Sequence, residues 1–273
     1  MQRQTLSQLR EHYEIEKVIA DRLRNSTAEE RLDLYKWAYD ELFQKVTHHP
    51  LLAGRSDAER RARTAKEIAA LRPFVDKEKV FLEIGPGDCA VSLAIAEFAK
   101  NVFAADVSGE VADLLDVPEN FEFVIFDGLS LPLPPKSVDV AYSNQLMEHL
   151  HPEDSMKQLR SIFATLKPGG LYYCVTPNRL SGPHDVSRSF DAVATGLHLR
   201  EFTVTELERI FKETGFRKTR IYLRVFKFNM TLPVFPFKIG EAIISPLPHG
   251  LRKMLTFNRV VKFVLGIKLL AQK

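Results

Sequence analysis

The feature of this chain that most constrains its fold is an alternation of short apolar segments with helical segments, which begins at Val80. Strands that are apolar on both faces and separated by helices are typical of a parallel sheet covered by helices on both sides. The pattern predicts strands at 80–84, 102–105, 121–126, 138–143, 171–175 and 218–226, and a last strand at 263–271. We therefore predict a doubly wound α/β fold with a mostly parallel sheet of seven strands.

Two further segments flank or interrupt this alternation. Residues 1–75 are predicted to form a helical cap, in which the segment 25–30 offers N-cap residues with Glu three positions later and opens a helix that runs to about Val46. The main domain is then 76–273, with an insertion at 229–260 that is rich in proline and aromatic residues. If the last two strands are antiparallel, the insertion projects from the carboxyl edge of the sheet, where such sheets bind ligands. We expect it to act as a lid.

The composition is that of an ordinary globular protein, with 45% hydrophobic and 27% charged residues. The only cysteines, Cys89 and Cys174, are far apart in the sequence. This argues against a disulfide framework and favours a reducing, cytoplasmic compartment. No apolar run approaches the roughly 20 residues that a membrane-spanning helix needs.

Positive charge is concentrated at the end of the chain. Residues 217–273 hold twelve Lys and Arg residues against one acid, Glu241, so this segment has a net charge of +11. Since the whole chain has a net charge of +3, residues 1–216 have a net charge of −8. A basic segment on an acidic body could face an anionic substrate, a membrane surface or nucleic acid, or could be a solvated face.

A glycine-containing turn joins the first predicted strand to its helix and marks the candidate ligand site. Gly85 and Gly87 permit a tight turn and a close approach of a ligand to the backbone. Asp106 closes the next strand, 21 residues after Gly85. A carboxylate there can accept hydrogen bonds from the ribose hydroxyls of an adenosine. The spacing therefore predicts a cofactor that contains a nucleoside.

Two cofactors fit this turn, a nicotinamide dinucleotide and S-adenosylmethionine. The glycine spacing with a later acid also matches the dinucleotide fingerprint, so an NAD-dependent oxidoreductase is one alternative. Glu83, however, places a carboxylate two residues before the first glycine, where it suits the ammonium of an amino acid and would repel a pyrophosphate. Asp127 and Gly128 end the third strand, where a side chain and an amide can bind an adenine. About 80 residues precede the turn, whereas a dinucleotide domain commonly starts a chain. Together these features favour S-adenosylmethionine.

Five blocks of sequence carry a resemblance to a known family: 81–87, 105–108, 126–128, 143–150 and 166–170. Through them, residues 79–226 resemble the class I S-adenosylmethionine-dependent methyltransferases, which have a Rossmann-like fold, in the broad branch that contains the ubiquinone-biosynthesis enzymes. The departures from that pattern are Cys89, where the family often has a third glycine, and the long insertion.

The resemblance also implies which residues bind the cofactor. Glu83, Gly85 and Gly87 would hold its methionine end, Asp106 and the adjacent Val107 its ribose, and Asp127 with Gly128 its adenine. The stretch from Asn144 to His149 would line the site beside the sulfonium.

Two histidines are candidates for the catalytic base. Methyl transfer is an in-line displacement that the enzyme promotes by alignment, and a hydroxyl acceptor also needs a base to take its proton. We predict that His184, in the segment after the fifth strand, is this base, with His149 as the second candidate. Loop capping is the alternative role for His184, and a structural or cofactor-site role is the alternative for His149. We expect His198 to anchor the start of the following helix.

The predicted reaction is O-methylation of a small molecule such as a sugar, a glycan or a lipid-linked intermediate. Segment 176–188 is similar to bacterial members of the family that are associated with glycan and cell-surface biosynthesis, and the basic insertion suits an anionic acceptor. Peripheral membrane contact is compatible with this charge, whereas no nucleic-acid partner is expected.

No group of His, Cys and Asp residues has the spacing of metal ligands, so no metal is expected. A non-catalytic protein that binds S-adenosylmethionine is a further alternative.

Overall fold

The computed structural model describes residues 4–49, 56–109, 117–225 and 227–273. Within these ranges, one sheet contains eight strands. They are β1 (Val80–Ile84), β2 (Asn101–Asp106), β3 (Phe121–Ile125), β4 (Val138–Asn144), β5 (Leu166–Thr176), β6 (Lys218–Val225), β7 (Phe228–Pro233) and β8 (Ile267–Gln272). The helices are α1 (Leu6–Arg24), α2 (Ala28–Lys45), α3 (Asp57–Leu71), α4 (Ala90–Ala96), α5 (Pro152–Thr165), α6 (Val204–Thr214), α7 (Phe235–Ile244), α8 (His249–Phe257) and α9 (Arg259–Leu265).

The strand order confirms the predicted doubly wound α/β fold. The strands are arranged as β3-β2-β1-β4-β5-β8-β6-β7, and all pairs among β1 to β5 are parallel. β8 lies antiparallel between β5 and β6, as expected for the last strand. Because the carboxyl ends of parallel strands meet at the same edge, the loops that follow β1 to β5 converge there.

The sheet has eight strands rather than the predicted seven. The additional strand, β7, pairs antiparallel with β6 at the edge of the sheet, so the predicted insertion at 229–260 begins inside the sheet. The sequence of β7, FNMTLP, alternates between apolar and polar residues as a strand does, but the proline and aromatic residues of this segment favour an insertion instead. Most side chains of β7 are exposed. The last strand starts at Ile267 instead of residue 263, because residues up to Leu265 belong to α9. Phe226, the predicted end of the sixth strand, lies outside the described residues.

Helices cover both faces of the sheet. One apolar cluster contains side chains from α1, α2, α5 and α6 together with Leu82 of β1. The other contains side chains from α3 and α4 together with the neighbouring Phe81. Successive residues of β1 therefore face opposite layers, which explains why the parallel strands are apolar throughout.

The N-terminal helices are held to the sheet domain by polar contacts as well. The capping box that opens α2 forms as predicted, with Thr27 and Glu30 bonding each other's backbone amides. One turn later, Arg31 is buried and donates to both carboxylate oxygens of Asp154 on α5, at 2.5 and 3.1 Å. The Tyr35 hydroxyl also donates to Asp154, at 2.8 Å. α2 therefore has a fixed position over the carboxyl edge.

One buried acid, Glu241, makes several of the polar contacts that attach the helices between β7 and β8 to this edge, and Lys238 of α7 adds an ion pair with Glu208 of α6 at 3.0 Å. Glu241 of α7 is buried and accepts hydrogen bonds from the amides of Val204 and Thr205, at 2.5 and 2.9 Å, in the first turn of α6. It also accepts from Asn178 at 2.8 Å. A carboxylate at a helix N-terminus is favourable because the free amides and the helix dipole both attract negative charge. In the described part of the chain, no helix is both long and apolar enough to cross a membrane.

Candidate active site

The turn after β1 has the conformation that its glycines predict. Gly85 and Gly87 have φ angles of +70° and +58°, and the Gly85 amide donates to the Ala105 carbonyl of β2 at 2.9 Å. A Cβ atom on Gly85 would lie 3.2 Å from a methyl group of Leu146, which follows β4. Cys89 also has a positive φ of 55°, so it takes the backbone conformation of the glycine that the family often has there.

Glu83 lies in the floor of this turn and is the most strongly perturbed acid of the predicted set. Its side chain is buried, and the Ser92 hydroxyl of α4 donates a hydrogen bond to it. Burial raises the pKa of Glu83 from 4.5 to about 8, and the nearby Glu67 raises it further in the same direction. A buried carboxylate whose ionisation is unfavourable is suited to a cationic ligand, because an ammonium beside it would stabilise the charged form.

Asp106 and Val107 lie beside this turn at the end of β2. One oxygen of Asp106 accepts hydrogen bonds from the amides of Val107 at 2.7 Å and Ser108 at 3.3 Å. Burial raises the pKa of the Asp106 carboxyl, while these amides and the Gly87 amide act in the opposite direction. The carboxylate is thereby fixed next to the glycine turn, in the position from which a ribose can be bound.

The predicted adenine site follows β3. Asp127 is exposed, and one of its oxygens accepts from the amides of Leu129 and Ser130, at 2.7 and 2.6 Å. Gly128 has a φ of +82°, and a Cβ atom there would lie 3.3 Å from Val107 and 3.5 Å from Tyr35 of α2. The ends of β2 and β3 and the helix α2 therefore meet at Gly128.

Asn144 is the last residue of β4 and pairs with Val175 of β5. Its neighbour Gln145 has a φ of +59°, which turns the chain at the carboxyl edge. Leu146 then returns to contact Gly85. The predicted cofactor residues thus lie on the ends of four adjacent strands, as the sequence blocks require.

Tyr39 is a residue of this site that the sequence reasoning missed. It lies on α2, one turn after Tyr35, and its pKa is raised by burial and then by the charges of Glu148, Glu16 and Asp106. Its ring centroid is 6.0 Å from that of His149. Tyr39 therefore lies on the histidine side of the site, near enough to Asp106 for the charge of that carboxylate to raise its pKa. The signal in the sequence is the spacing of Tyr35 and Tyr39 on one face of a helix.

His149 belongs to a compact group of ionisable side chains. Its Nδ1 donates to the Leu197 carbonyl at 3.0 Å, and its ring meets that of His198 edge-on, with centroids 4.9 Å apart. Burial and then the charge of His198 lower the pKa of His149 to about 3, so this imidazole is neutral. His149 therefore has a structural partner at Nδ1, and among the described residues no hydrogen bond of its Nε2 is found.

His184 joins the same group from the loop that follows β5. Its Nε2 lies 3.2 Å from the Asn178 carbonyl and 3.0 Å from the Ser181 hydroxyl, and its amide donates to Glu201 at 2.7 Å. Glu201 also bonds the Nδ1 of His198 at 2.7 Å. Burial lowers the pKa of His184. Both predicted base candidates are therefore connected through Glu201 and His198, neither of which was a predicted site residue.

The family comparison agrees with this geometry. Residues 56–221 match the family described as "Methyltransferase domain". A probable S-adenosylmethionine-dependent methyltransferase of Mycolicibacterium smegmatis is 33% identical over 138 residues, which are 50% of this chain and 51% of that protein. A protein of the same description from Mycobacterium tuberculosis is 32% identical over 136 residues, covering 50% of this chain and 47% of the relative. The chain thus spans about half the length of the curated relatives it matches.

Solved structures show the same fold at low sequence identity. A methyltransferase from Archaeoglobus fulgidus has a TM-score of 0.53 and 17% identity, over 78% of this chain and 94% of that one. The phosphoethanolamine N-methyltransferase 1 of Haemonchus contortus, solved with S-adenosylhomocysteine, has a TM-score of 0.53 and 19% identity, over 73% of this chain and 42% of its own. These two likenesses show the fold, whereas the family match and the curated relatives favour the methyl donor over the nicotinamide alternative. The chain belongs to the methyltransferase-domain family and has the fold of the class I S-adenosylmethionine-dependent methyltransferases.

Proposed function

We propose that this methyltransferase methylates a hydroxyl group of a small, lipid-linked acceptor while its insertion lies against an anionic membrane surface. The observation that carries the proposal is the distribution of exposed apolar side chains. Sixteen large hydrophobic side chains are exposed in the described residues, and ten of them lie between 228 and 264.

These side chains form stripes on consecutive helices. Phe235, Ile239 and Ile243 are spaced four residues apart on α7 and are 69%, 46% and 65% exposed. Leu251, Met254 and Leu255 have helical spacing on α8, and Phe263 and Val264 follow on α9. An apolar stripe on a surface helix normally faces a core, so stripes that face solvent indicate a partner or a membrane interface.

The charges around the stripes favour an anionic lipid surface. Basic side chains on the same segment include Lys227, Lys253 and Lys262, which are exposed, and its acid, Glu241, is buried. Helices that combine an apolar face with Lys and Arg bind in the plane of anionic membranes. The two buried free cysteines agree with a cytoplasmic location.

The loop with His184 lies next to this surface, which supports its role as the base. α8 and α9 both contact Arg179–Ser181, the short turn that precedes His184. Since the Asn178 carbonyl can only accept, the Nε2 of His184 carries the proton that it shares with Asn178. The Nδ1 atom is then the basic nitrogen and would take the proton of the acceptor hydroxyl, while bound S-adenosylmethionine would supply the methyl group and leave as S-adenosylhomocysteine.

Membrane binding can be tested by flotation with lipid vesicles. We expect the protein to float with phosphatidylglycerol vesicles and to remain unbound with phosphatidylcholine vesicles. Met254→Asp should abolish flotation because it places a charge in the apolar stripe. Val18→Asp is the matched control, since Val18 on α1 is 69% exposed and Met254 66%. Equal flotation of both variants would refute the membrane surface.

The acceptor class can be tested with methyl-tritiated donor and a bacterial lipid extract. We expect label in the organic phase that resists mild alkaline hydrolysis, as a methyl ether does and a methyl ester does not. His184→Ala should lose this transfer and still be stabilised against heating by S-adenosylhomocysteine. Label that remains with water-soluble amines or with protein would contradict the proposal.

A further inference from the structure

Three metal-ligand side chains come together beside the cofactor residues. Glu148, His149 and His198 each offer one ligand atom, and the three atoms lie within 4.8 Å of one another. A four-coordinate or six-coordinate ion holds its donor atoms about 3 to 4 Å apart, so small side-chain rotations would close the group around one ion. His198 comes from a distant segment, which is why the sequence spacing gave no expectation of a metal.

The hydrogen bonds of both histidines leave the same ring nitrogen available. Nδ1 of His149 faces a carbonyl oxygen, that of Leu197, so it must carry the proton. Nδ1 of His198 is 2.7 Å from the Glu201 carboxylate, which likewise accepts. Both Nε2 atoms therefore face a possible ligand. Although burial opposes it, the hydrogen bond to Glu201 and the charge of Glu148 raise the pKa of His198, so a metal would displace a proton from its Nε2. A histidine that binds a metal through one nitrogen normally donates the other N–H to a carboxylate or a carbonyl, and both arrangements occur here.

The third side chain, Glu148, has a buried carboxylate oxygen without a hydrogen-bond partner in the described residues. Glu148 is 0% exposed, and its Oε2 accepts from the Thr176 hydroxyl at 2.8 Å. Its Oε1 has no hydrogen-bond partner in the described residues. A buried carboxylate oxygen without a partner is costly, since nothing replaces the water it has lost. A cation at the centre of the group would remove that deficit.

From these contacts we propose that Glu148, His149 and His198 bind a divalent first-row transition-metal ion of the Zn²⁺ class. Two imidazoles and one carboxylate are a donor set that suits such ions and leaves coordination positions open. Ca²⁺ and Mg²⁺ prefer oxygen ligands alone and fit it poorly.

A second group in the described residues differs in the position of its protons, although it too contains a buried atom without a hydrogen-bond partner, Nε2 of His12. His12, Glu16 and His49 also lie within ligand distance of one another. The side-chain amide of Gln4 lies 3.2 Å from Nδ1 of His12 and can only donate from its nitrogen, so in the neutral ring the proton sits on Nε2. The nitrogen that faces Glu16 is then protonated and cannot bind a metal. This group is the natural control.

The location suggests what the ion does. It would lie at the carboxyl edge, between Tyr39 and the His184 loop, and a hydroxyl that coordinates to such an ion loses its proton more readily. This role rests on the proposed O-methylation, whereas the binding of the ion does not. If His149 is a ligand, it is not the base, which leaves that role to His184.

The test is a titration of the full chain, stripped with a chelator, with Zn²⁺ in competition with a chromophoric zinc indicator. We expect one ion per chain. Glu148→Gln and His198→Gln should each weaken binding at least tenfold, and Glu201→Gln should weaken it roughly 10–100-fold through the orientation of His198. His12→Gln should bind as the unchanged protein does, and millimolar Mg²⁺ should not compete.

Three results would overturn the metal site: no binding at micromolar Zn²⁺, unchanged binding in Glu148→Gln and His198→Gln, or a loss of binding in His12→Gln. Each variant is first checked for an increase in melting temperature with S-adenosylhomocysteine, which shows that it is folded. If zinc binds as expected but no lipid of the extract gains a methyl group, the proposed function is refuted and the metal site is not.

Discussion

Replacing Glu83 by Gln should stabilise the empty protein and weaken its binding of the cofactor. Burial raises the pKa of Glu83 from 4.5 to about 8. The folded protein therefore keeps this carboxyl protonated at pH 7, while the unfolded chain gains free energy by ionising it. The free energy of unfolding is therefore highest below the pKa that Glu83 has in the unfolded chain. It falls by about 1.4 kcal/mol per pH unit as the pH rises from that value to the pKa of Glu83 in the folded protein. At pH 7 the loss amounts to about 3 kcal/mol.

A glutamine at position 83 cannot ionise, but its carbonyl oxygen can still accept the hydrogen bond from Ser92. The variant should therefore be more stable than the unchanged protein by about 3 kcal/mol at pH 7, and by about 1 kcal/mol at pH 5. The measurement is urea unfolding of both proteins at pH 5, 6, 7 and 8. A difference that is independent of pH, or a variant that is less stable at pH 7, would refute a buried, protonated Glu83.

Ligand binding should change in the opposite direction. The ammonium of S-adenosylhomocysteine requires the ionised carboxylate, so its affinity for the unchanged protein should rise about tenfold per pH unit up to pH 8. Glu83→Gln should lose this dependence and bind about tenfold more weakly at pH 7, since a charge-assisted hydrogen bond contributes about 1.5–3 kcal/mol. Methylthioadenosine, which lacks the amino acid end, is the control ligand and should bind both proteins equally at every pH.

Three further substitutions follow from the same contacts. Asp106→Asn should weaken S-adenosylhomocysteine at least tenfold in calorimetry, because charge-assisted bonds to the ribose are lost. Asp127→Asn should have a smaller effect in the same assay, since an amide oxygen can still accept from adenine. Arg31→Met removes the buried cation of Asp154, which keeps only the half-exposed Lys157 at 3.6 Å, and should destabilise the protein by about 3 kcal/mol in urea unfolding. Arg60→Met, in an exposed ion pair, is its control and should change little.

Most of the fold could be predicted because its determinants are local. Each parallel strand is buried on both faces, so apolar runs alone mark it, and helix limits follow from caps such as Thr27 and Gly215. β7 could not be predicted in this way. Its apolar residues alternate with polar ones, but most of its side chains are exposed, and it pairs with β6 alone at the edge of the sheet.

In the candidate site, too, the residues that local sequence could predict differ from those that only tertiary packing brings together. The cofactor residues follow strand ends, and the parallel topology brings those ends together whatever the loops do. Tyr39, His198 and Glu201 instead reach the site through tertiary packing over long sequence separations. Nothing in their local sequence fixes which nitrogen of His198 faces Glu201, or that Tyr39 contacts His149.

The N-terminal helices and the insertion approach the active site from two sides and are bonded to it in different ways. α2 contributes Tyr35 beside Gly128 and Tyr39 beside His149, and the buried Arg31–Asp154 pair fixes its position. α7 is held mainly by Glu241 at the start of α6, whereas its outer face is apolar and exposed. A side that is tightly packed suits a cofactor shared by the whole family. A side that is joined by few polar contacts suits an acceptor that differs between members, because its surface can change without disturbing the sheet.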